Sequence, residues 1–290
     1  MVIEFSLLAA FAAMFCWGFG DFLIQKNVKK IGNLEALAFI GIIGGILLLP
    51  FVWGKINLIF TTGNIILLGA LGIVTFIAAM FDFEALKEGK LSVIEVVLEI
   101  ELPVTVLLGF VFLKEGLSAA QFAFIALAFA GILTMAIKSH HIKNLKKFLE
   151  KGVLIGVVGA IFMGVLDFLT GVSSRKIDPF IAIWAPYVIF SVICLLVIWK
   201  REGFSKFIKN GLKFKGAVSL MAIFDTAAWV FYAIAMRNNH IGITTAITES
   251  YPVIGLFLGL WVNKEHIMKH QFIGAALAII ASITLAFIIS

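Results

Sequence analysis

Residues 15–23 read Phe15-Cys16-Trp17-Gly18-Phe19-Gly20-Asp21-Phe22-Leu23, and residues 162–169 read Phe162-Met163-Gly164-Val165-Leu166-Asp167-Phe168-Leu169. Laid over one another, Gly18 falls on Gly164, Asp21 on Asp167 and Phe22-Leu23 on Phe168-Leu169. The correspondence runs on along the chain: Pro103 answers Pro252, and Lys114-Glu115 answers Lys264-Glu265. The offset drifts only from 146 to 150 residues, and the order never changes. Matches that are weak singly become, in common order, the mark of an internal duplication.

Each copy holds five long apolar stretches, at 5–24, 34–53, 64–86, 91–113 and 118–137, then at 152–172, 180–199, 216–236, 242–262 and 267–289. A helix needs about 20 apolar residues to cross the hydrocarbon core. The runs are continuously apolar rather than alternating, which selects helices over a β-barrel. The expectation is an all-α membrane protein of ten transmembrane helices, with a first repeat at 1–139, a basic connector at 140–151 and a second repeat at 152–290. An odd number of crossings per repeat forces the second copy to enter from the opposite side. The halves are then inverted repeats, the architecture that lets a carrier show one site to either face in turn.

Composition agrees. The chain is 62% hydrophobic with a mean hydropathy of +1.10, well above a soluble domain. A net charge of +6 can signal nucleic acid, but here the basic residues fall between the apolar stretches, where they set topology and meet headgroups. Connectors after odd-numbered spans hold 18 Lys and Arg, and those after even-numbered spans hold 5. The positive-inside rule puts the former in the cytoplasm and both termini outside the cell membrane. Residues 1–20 lack a basic n-region and read as a permanent first span rather than a cleaved leader. Cys16 and Cys194 both lie in apolar spans and report no redox compartment. The expected partners are the bilayer and a small-molecule substrate. The sequence leaves oligomeric state open, and a monomer suffices.

Nine acids in or at the edges of the spans carry the chemical information: Asp21, Asp82, Glu84, Glu95, Glu99, Glu101, Asp167, Asp225 and Glu249. An ionised carboxylate at mid-membrane costs at least ~2.5 kcal/mol, so such residues do not face lipid. Asp82 and Glu84 lie near Lys87 and read as interfacial pairing. Glu95 and Glu99 share one helix face, where like charges repel, an arrangement suited to proton coupling. Glu101 falls roughly 160° around the helix from them and reads as a helix contact. Asp225 has no basic neighbour in sequence, and Glu249 sits in the polar run Thr244-Thr245-Ala246-Ile247-Thr248-Glu249-Ser250-Tyr251-Pro252. Asp21 and Asp167, past the middles of inverted spans, approach opposite faces and are the gate candidates; the plain alternative is a helix-end Asp bonded to a neighbouring span.

Pro103 and Pro252 free a backbone carbonyl near Glu99 and Thr248, giving either a simple kink or a broken helix at a midplane site. Trp17, Trp184, Tyr187, Trp229, Tyr232 and Tyr251 can line a cavity and stack on a cation. The pair Gly41/Gly45 and the ridge Gly152, Gly156, Ala160 and Gly164 read as close helix contacts. The five histidines lack zinc spacing, and no Walker, nucleophile-elbow or dinucleotide motif occurs, so no metal, cofactor or catalytic residue is expected.

Trp17-Gly18 in the first span, the turn Ala85-Leu86-Lys87-Glu88-Gly89 before a span containing Pro103, and the turn glutamates Glu115 and Glu265 together resemble the drug/metabolite transporter superfamily with two EamA-type repeats. The resemblance covers nearly the whole chain. It implies a ten-helix carrier of small metabolites, often an exporter, and termini inside, against the charge count. Two departures stand out. Lys114 and Lys264 occupy the position where the family has Gly before the turn glutamate, and Met163-Gly164 stands where the first half has Trp17-Gly18.

The functional expectation is a secondary transporter of small polar metabolites such as amino acids or organic cations, working by alternating access with possible proton coupling and no enzymatic role. Substrate or coupling candidates are Glu95, Glu99, Asp225, Glu249, Tyr251, Trp17, Trp184 and Trp229. The rivals are a membrane-embedded enzyme on a lipid-linked substrate, which would want larger polar loops, and a passive channel, which would not need matched halves.

Overall fold

The structure is a computed structural model that describes residues 5–88, 94, 97–136, 151–201, 203–254, 257 and 269–289. Glu95, residues 140–150 of the basic connector, and Lys264-Glu265 lie outside the described residues. The first half contains α1 (Phe5–Ile31), α2 (Asn33–Val52), a 3₁₀ segment (Trp53–Phe60), α3 (Thr62–Glu88), α4 (Glu101–Leu113) and α5 (Ala119–Ala136). The second contains α6 (Lys151–Lys176), α7 (Pro179–Arg201), a short α8 (Phe204–Lys213), α9 (Lys215–Asn238), α10 (Ile241–Thr248) and α11 (Lys269–Ile289). All regular structure among the described residues is helical.

Six helical segments are each long and apolar enough to cross a membrane: Phe5–Ile31, Asn33–Phe60, Thr62–Glu88, Leu154–Lys176, Pro179–Arg201 and Lys215–Asn238. The fourth and ninth crossings are interrupted at their centres, so α4 and α10 are short although each belongs to an apolar stretch of spanning length. With the apolar helices α5 and α11, the described segments are consistent with ten crossings, five per half. The outward surface carries Phe5, Ile66, Phe110 and Phe112, each at least 60% exposed, as a lipid-facing exterior requires.

The packing makes the duplication visible. α1 lies along α9 as α3 lies along α6; α2 packs on α7, α4 on α10 and α5 on α11. Exchanging each first-half helix for its counterpart maps this set onto itself, which is two-fold symmetry. With five crossings per half the axis lies in the membrane plane. Two close helix approaches obey the same operation. A Cβ at Gly18 would sit 2.6 Å from Ile254 Cβ, and one at Gly164 would sit 2.6 Å from Val104 Cβ. Gly164 also faces the Glu101 carbonyl at 2.8 Å, so Gly164→Ala must push α4 off α6. A loss of about 1–3 kcal/mol is expected, read as a lower unfolding midpoint of the purified protein.

Two sequence readings change in detail. The α2–α7 contact uses Gly41 and Gly44: an added Cβ would run into Ser191 Oγ from the first and would meet the Tyr187 ring at 2.5 Å from the second. Gly45 faces open space. Lys114 has a φ of +55°, the left-handed conformation that closes α4. A Cβ costs about 1 kcal/mol in that conformation, which Gly adopts freely. Lys114→Gly is expected to stabilise the protein by about 0.5–1 kcal/mol.

Candidate functional site

Both short helices begin or end at a backbone break, and the breaks are equivalent. Around Glu99 and Ile100 the helix switches to tighter bonds, Ile100 N–H to Val97 O (3.3 Å) and Leu102 N–H to Glu99 O (3.2 Å). Around Glu249 to Tyr251 the same happens, Ser250 N–H to Ile247 O (3.3 Å) and Tyr251 N–H to Thr248 O (3.1 Å). Pro103 and Pro252 follow directly and cannot donate a backbone bond, which fixes the position of each break. A broken helix, not a simple kink, is what the prolines make.

The breaks flank a central chamber of about 70 Å³, room for several waters. Six carboxyl groups line it: Asp21, Asp82, Glu101, Asp167, Asp225 and Glu249. Among the described residues, no Lys, Arg or His lines it. Tyr187 Oη donates to Asp225 Oδ2 at 2.7 Å. Thr105 Oγ1 lies 3.3 Å from Asp167 Oδ2, and Thr248 Oγ1 lies 3.3 Å from Glu249 Oε1. Asp82 stands near Asp225, and its Oδ1 has no hydrogen-bond partner among the described residues. Glu101 and Glu249 meet carboxyl to carboxyl at the junction of the two broken helices. Two ionised carboxylates side by side repel, and a proton or a ligand's cationic group between them would relieve that.

One wall is aromatic. Trp17 packs edge-on to Trp229 with ring centroids 5.1 Å apart, and lies 5.0 Å from Tyr232 and 6.3 Å from Tyr251. Tyr232 is fully buried, its hydroxyl 2.8 Å from Thr245 Oγ1.

Of the sequence candidates, Trp17, Asp21, Asp167, Asp225, Trp229, Glu249 and Tyr251 all line the chamber. Both gate candidates therefore share one chamber rather than standing at separate faces. Glu99 is fully buried but is not among the lining residues; Glu101 is, against the helix-contact reading. The reason is the break, which resets the helical phase between positions 99 and 101. Trp184 turns away and gives its indole N–H to the Gly45 carbonyl at 3.0 Å. Glu84 does pair with Lys87, at 3.4 Å, and takes a bond from Asn33 Nδ2 at 2.6 Å, whereas Asp82 faces inward. Asp82, Glu101 and Thr75 are the lining residues that sequence reasoning passed over. A signal existed: at a constant offset of 150, Asp82 matches Tyr232, Thr75 matches Asp225, Ala79 matches Trp229 and Glu101 matches Tyr251. Each of these equivalent pairs puts at least one member on the chamber wall.

The face that carries the chain termini is closed by one arginine. Arg175, ending α6, donates from Nη1 to Glu115 Oε1 at 2.6 Å, from Nε to Met236 O at 3.0 Å and from Nη2 to Asn239 O. Glu115 also accepts the Ile241 N–H at 2.9 Å. The ends of α4, α6 and α9 and the start of α10 are tied there, across both halves. Lys55 adds a peripheral link to Asp178 at 2.6 Å. On the opposite face, a cavity of about 380 Å³ opens among the ends of α2, α3, α7 and α8, lined by Asn33, Glu35, Glu84, Lys87, Arg201 and Lys206.

Duplicated five-helix bundles related by an in-plane axis, closed around a buried polar chamber, define a multi-pass membrane transporter. The EamA-like transporter family matches at residues 4–137 and again at 150–287, so the chain belongs to that family, within the drug/metabolite transporter superfamily. The chain is similar to a solved crystal structure at 15% identity and a TM-score of 0.75, covering 98% of this chain and 97% of that one, a likeness of fold. No curated protein matches the sequence.

Proposed function

We propose that this transporter moves small metabolites bearing an amine cation, organic cations or amino acids, outward by alternating access in exchange for protons. The observation that carries the reading is the chamber itself: six carboxyl groups and an aromatic wall, with no basic residue among the described residues that line it. A protonated amine meets both needs of such a site. It neutralises carboxylates that are costly to bury ionised, and it stacks on Trp17, Trp229 and Tyr251. Protons serve the same carboxyls when the substrate leaves, which is the stoichiometric link that exchange requires. An anionic substrate would want Lys or Arg here.

The basic face, with the connectors after odd-numbered spans, is assigned to the cytoplasm of the cell membrane, and the termini to the outside. A reporter fused after Ser290 is expected to be active only outside; cytoplasmic activity reverses the assignment. For transport, purified protein in proteoliposomes is expected to concentrate amines or amino acids several-fold when a pH gradient is imposed. Equal fluxes with and without the gradient would remove proton exchange. Flux that never saturates would favour a channel.

A further inference from the structure

The connector between the seventh and eighth crossings holds six Lys or Arg between positions 200 and 215 against the single acid Glu202, and part of it folds into α8. The helix divides its circumference three ways. Phe207, Asn210 and Gly211 face the bundle. The Phe207 ring stacks on Phe39 with centroids 4.2 Å apart, and a Cβ at Gly211 would meet the same ring at 2.8 Å. Asn210 Nδ2 donates to Glu35 Oε2 at 2.8 Å. On one flank, at spacings of four, Phe204, Ile208 and Leu212 are 41%, 56% and 70% exposed. On the other flank Lys206, Lys209 and Lys213 are exposed.

A helix that leaves three large apolar side chains uncovered needs a cover, and this one is anchored to the basic end of α2 through Phe39 and Glu35. The only medium at that level with an apolar layer on one side and negative charge on the other is the leaflet surface. We propose that α8 is a docking helix for anionic phospholipid: its Phe204-Ile208-Leu212 flank lies among acyl chains, and Lys209 and Lys213 hold the phosphates of negatively charged headgroups. Because α8 is clamped to Phe39 and Glu35, the bound lipid also braces α2, whose Leu37 and Ile40 line the central chamber. Lipid charge on this leaflet is thereby tied to the packing of the chamber wall.

The test uses the full chain with Cys16 and Cys194 replaced by Ser, Ile208→Cys carrying a fluorophore, and vesicles of phosphatidylcholine with phosphatidylglycerol. Brominated lipid is expected to quench the label and aqueous iodide to leave it unquenched. Brominated phosphatidylglycerol should quench more than brominated phosphatidylcholine. That preference should fall roughly fivefold for each of Lys209→Gln and Lys213→Gln, and shrink in molar salt. A label at 208 open to iodide, as water would leave it, overturns the proposal. So does a lipid preference unchanged in the Lys209→Gln/Lys213→Gln double variant.

Discussion

Arg175→Ala should open the face that carries the termini. In the wild type that guanidinium joins Glu115 to two backbone carbonyls, Met236 and Asn239, and so ties α4 of the first half to α6, α9 and α10 of the second. Glu115 is only 11% exposed, so removing its partner leaves a mostly buried carboxylate facing only the Ile241 N–H and, 4.0 Å away, His240 Nδ1 among the described residues. Breaking a buried pair in this way costs about 3–5 kcal/mol, discounted here because Arg175 is 27% exposed. A loss of about 2–3 kcal/mol from the closed state alone shifts the open-to-closed ratio roughly 30- to 150-fold. Ser174, fully buried beside Arg175 on α6, provides the readout. With both native cysteines replaced, Ser174→Cys should react with a membrane-impermeant maleimide at least tenfold faster when Arg175 is Ala. Lys55→Ala is the contrast. Its pair with Asp178 has a 44% exposed lysine, and such pairs are worth at most about 1 kcal/mol, so the labelling rate should barely move. Equal labelling in wild type and Arg175→Ala would mean that this network does not hold the face shut.

Much of this architecture could be read before any coordinates. The span positions follow from hydropathy alone, because a bilayer leaves the backbone no alternative to the helix. The inverted relation follows from counting, since five crossings reverse direction. The site was legible in kind, acids and aromatics facing inward, but not fully in membership. Helical phase was carried through Glu99 to Glu101 as if the helix were continuous, and the break between them turned the wrong side chain inward. Trp184 shares the helix of Tyr187, yet its indole is taken by the Gly45 carbonyl on α2, an interaction between residues 139 apart that no local pattern contains. Arg175 was counted only as a topology charge. Its role needs four segment ends to meet, which is a property of the assembled bundle and not of any stretch of chain. The left-handed conformation before the turn glutamate appeared only with the backbone angle at Lys114.

Glu249→Gln is the substitution expected to uncouple the transporter. Gln fills the same volume and keeps an acceptor for Thr248, so the broken ninth helix should fold as before, with an unfolding midpoint within a few degrees of wild type. What it cannot do is take up or release a proton opposite Glu101. Under the proposed exchange, that position is filled in turn by a proton and by a substrate amine, and the two exclude one another. With one carboxyl made permanently neutral, half of that competition disappears. A pH gradient should then no longer drive accumulation in proteoliposomes, a fall of at least tenfold, while exchange of labelled for unlabelled substrate at equal pH continues. Glu101→Gln should behave the same way, and the double variant no worse than either alone, because the two act as one unit. Asp225→Asn should differ. Its carboxyl is held by Tyr187, 2.7 Å away, on the other side of the chamber, so its loss should weaken substrate binding while leaving the residual flux responsive to the gradient. If Glu249→Gln keeps gradient-driven accumulation and Asp225→Asn loses it, the proton site lies at the Asp82–Asp225 side instead. The carboxyl pair between the broken helices would then serve only to join the two halves.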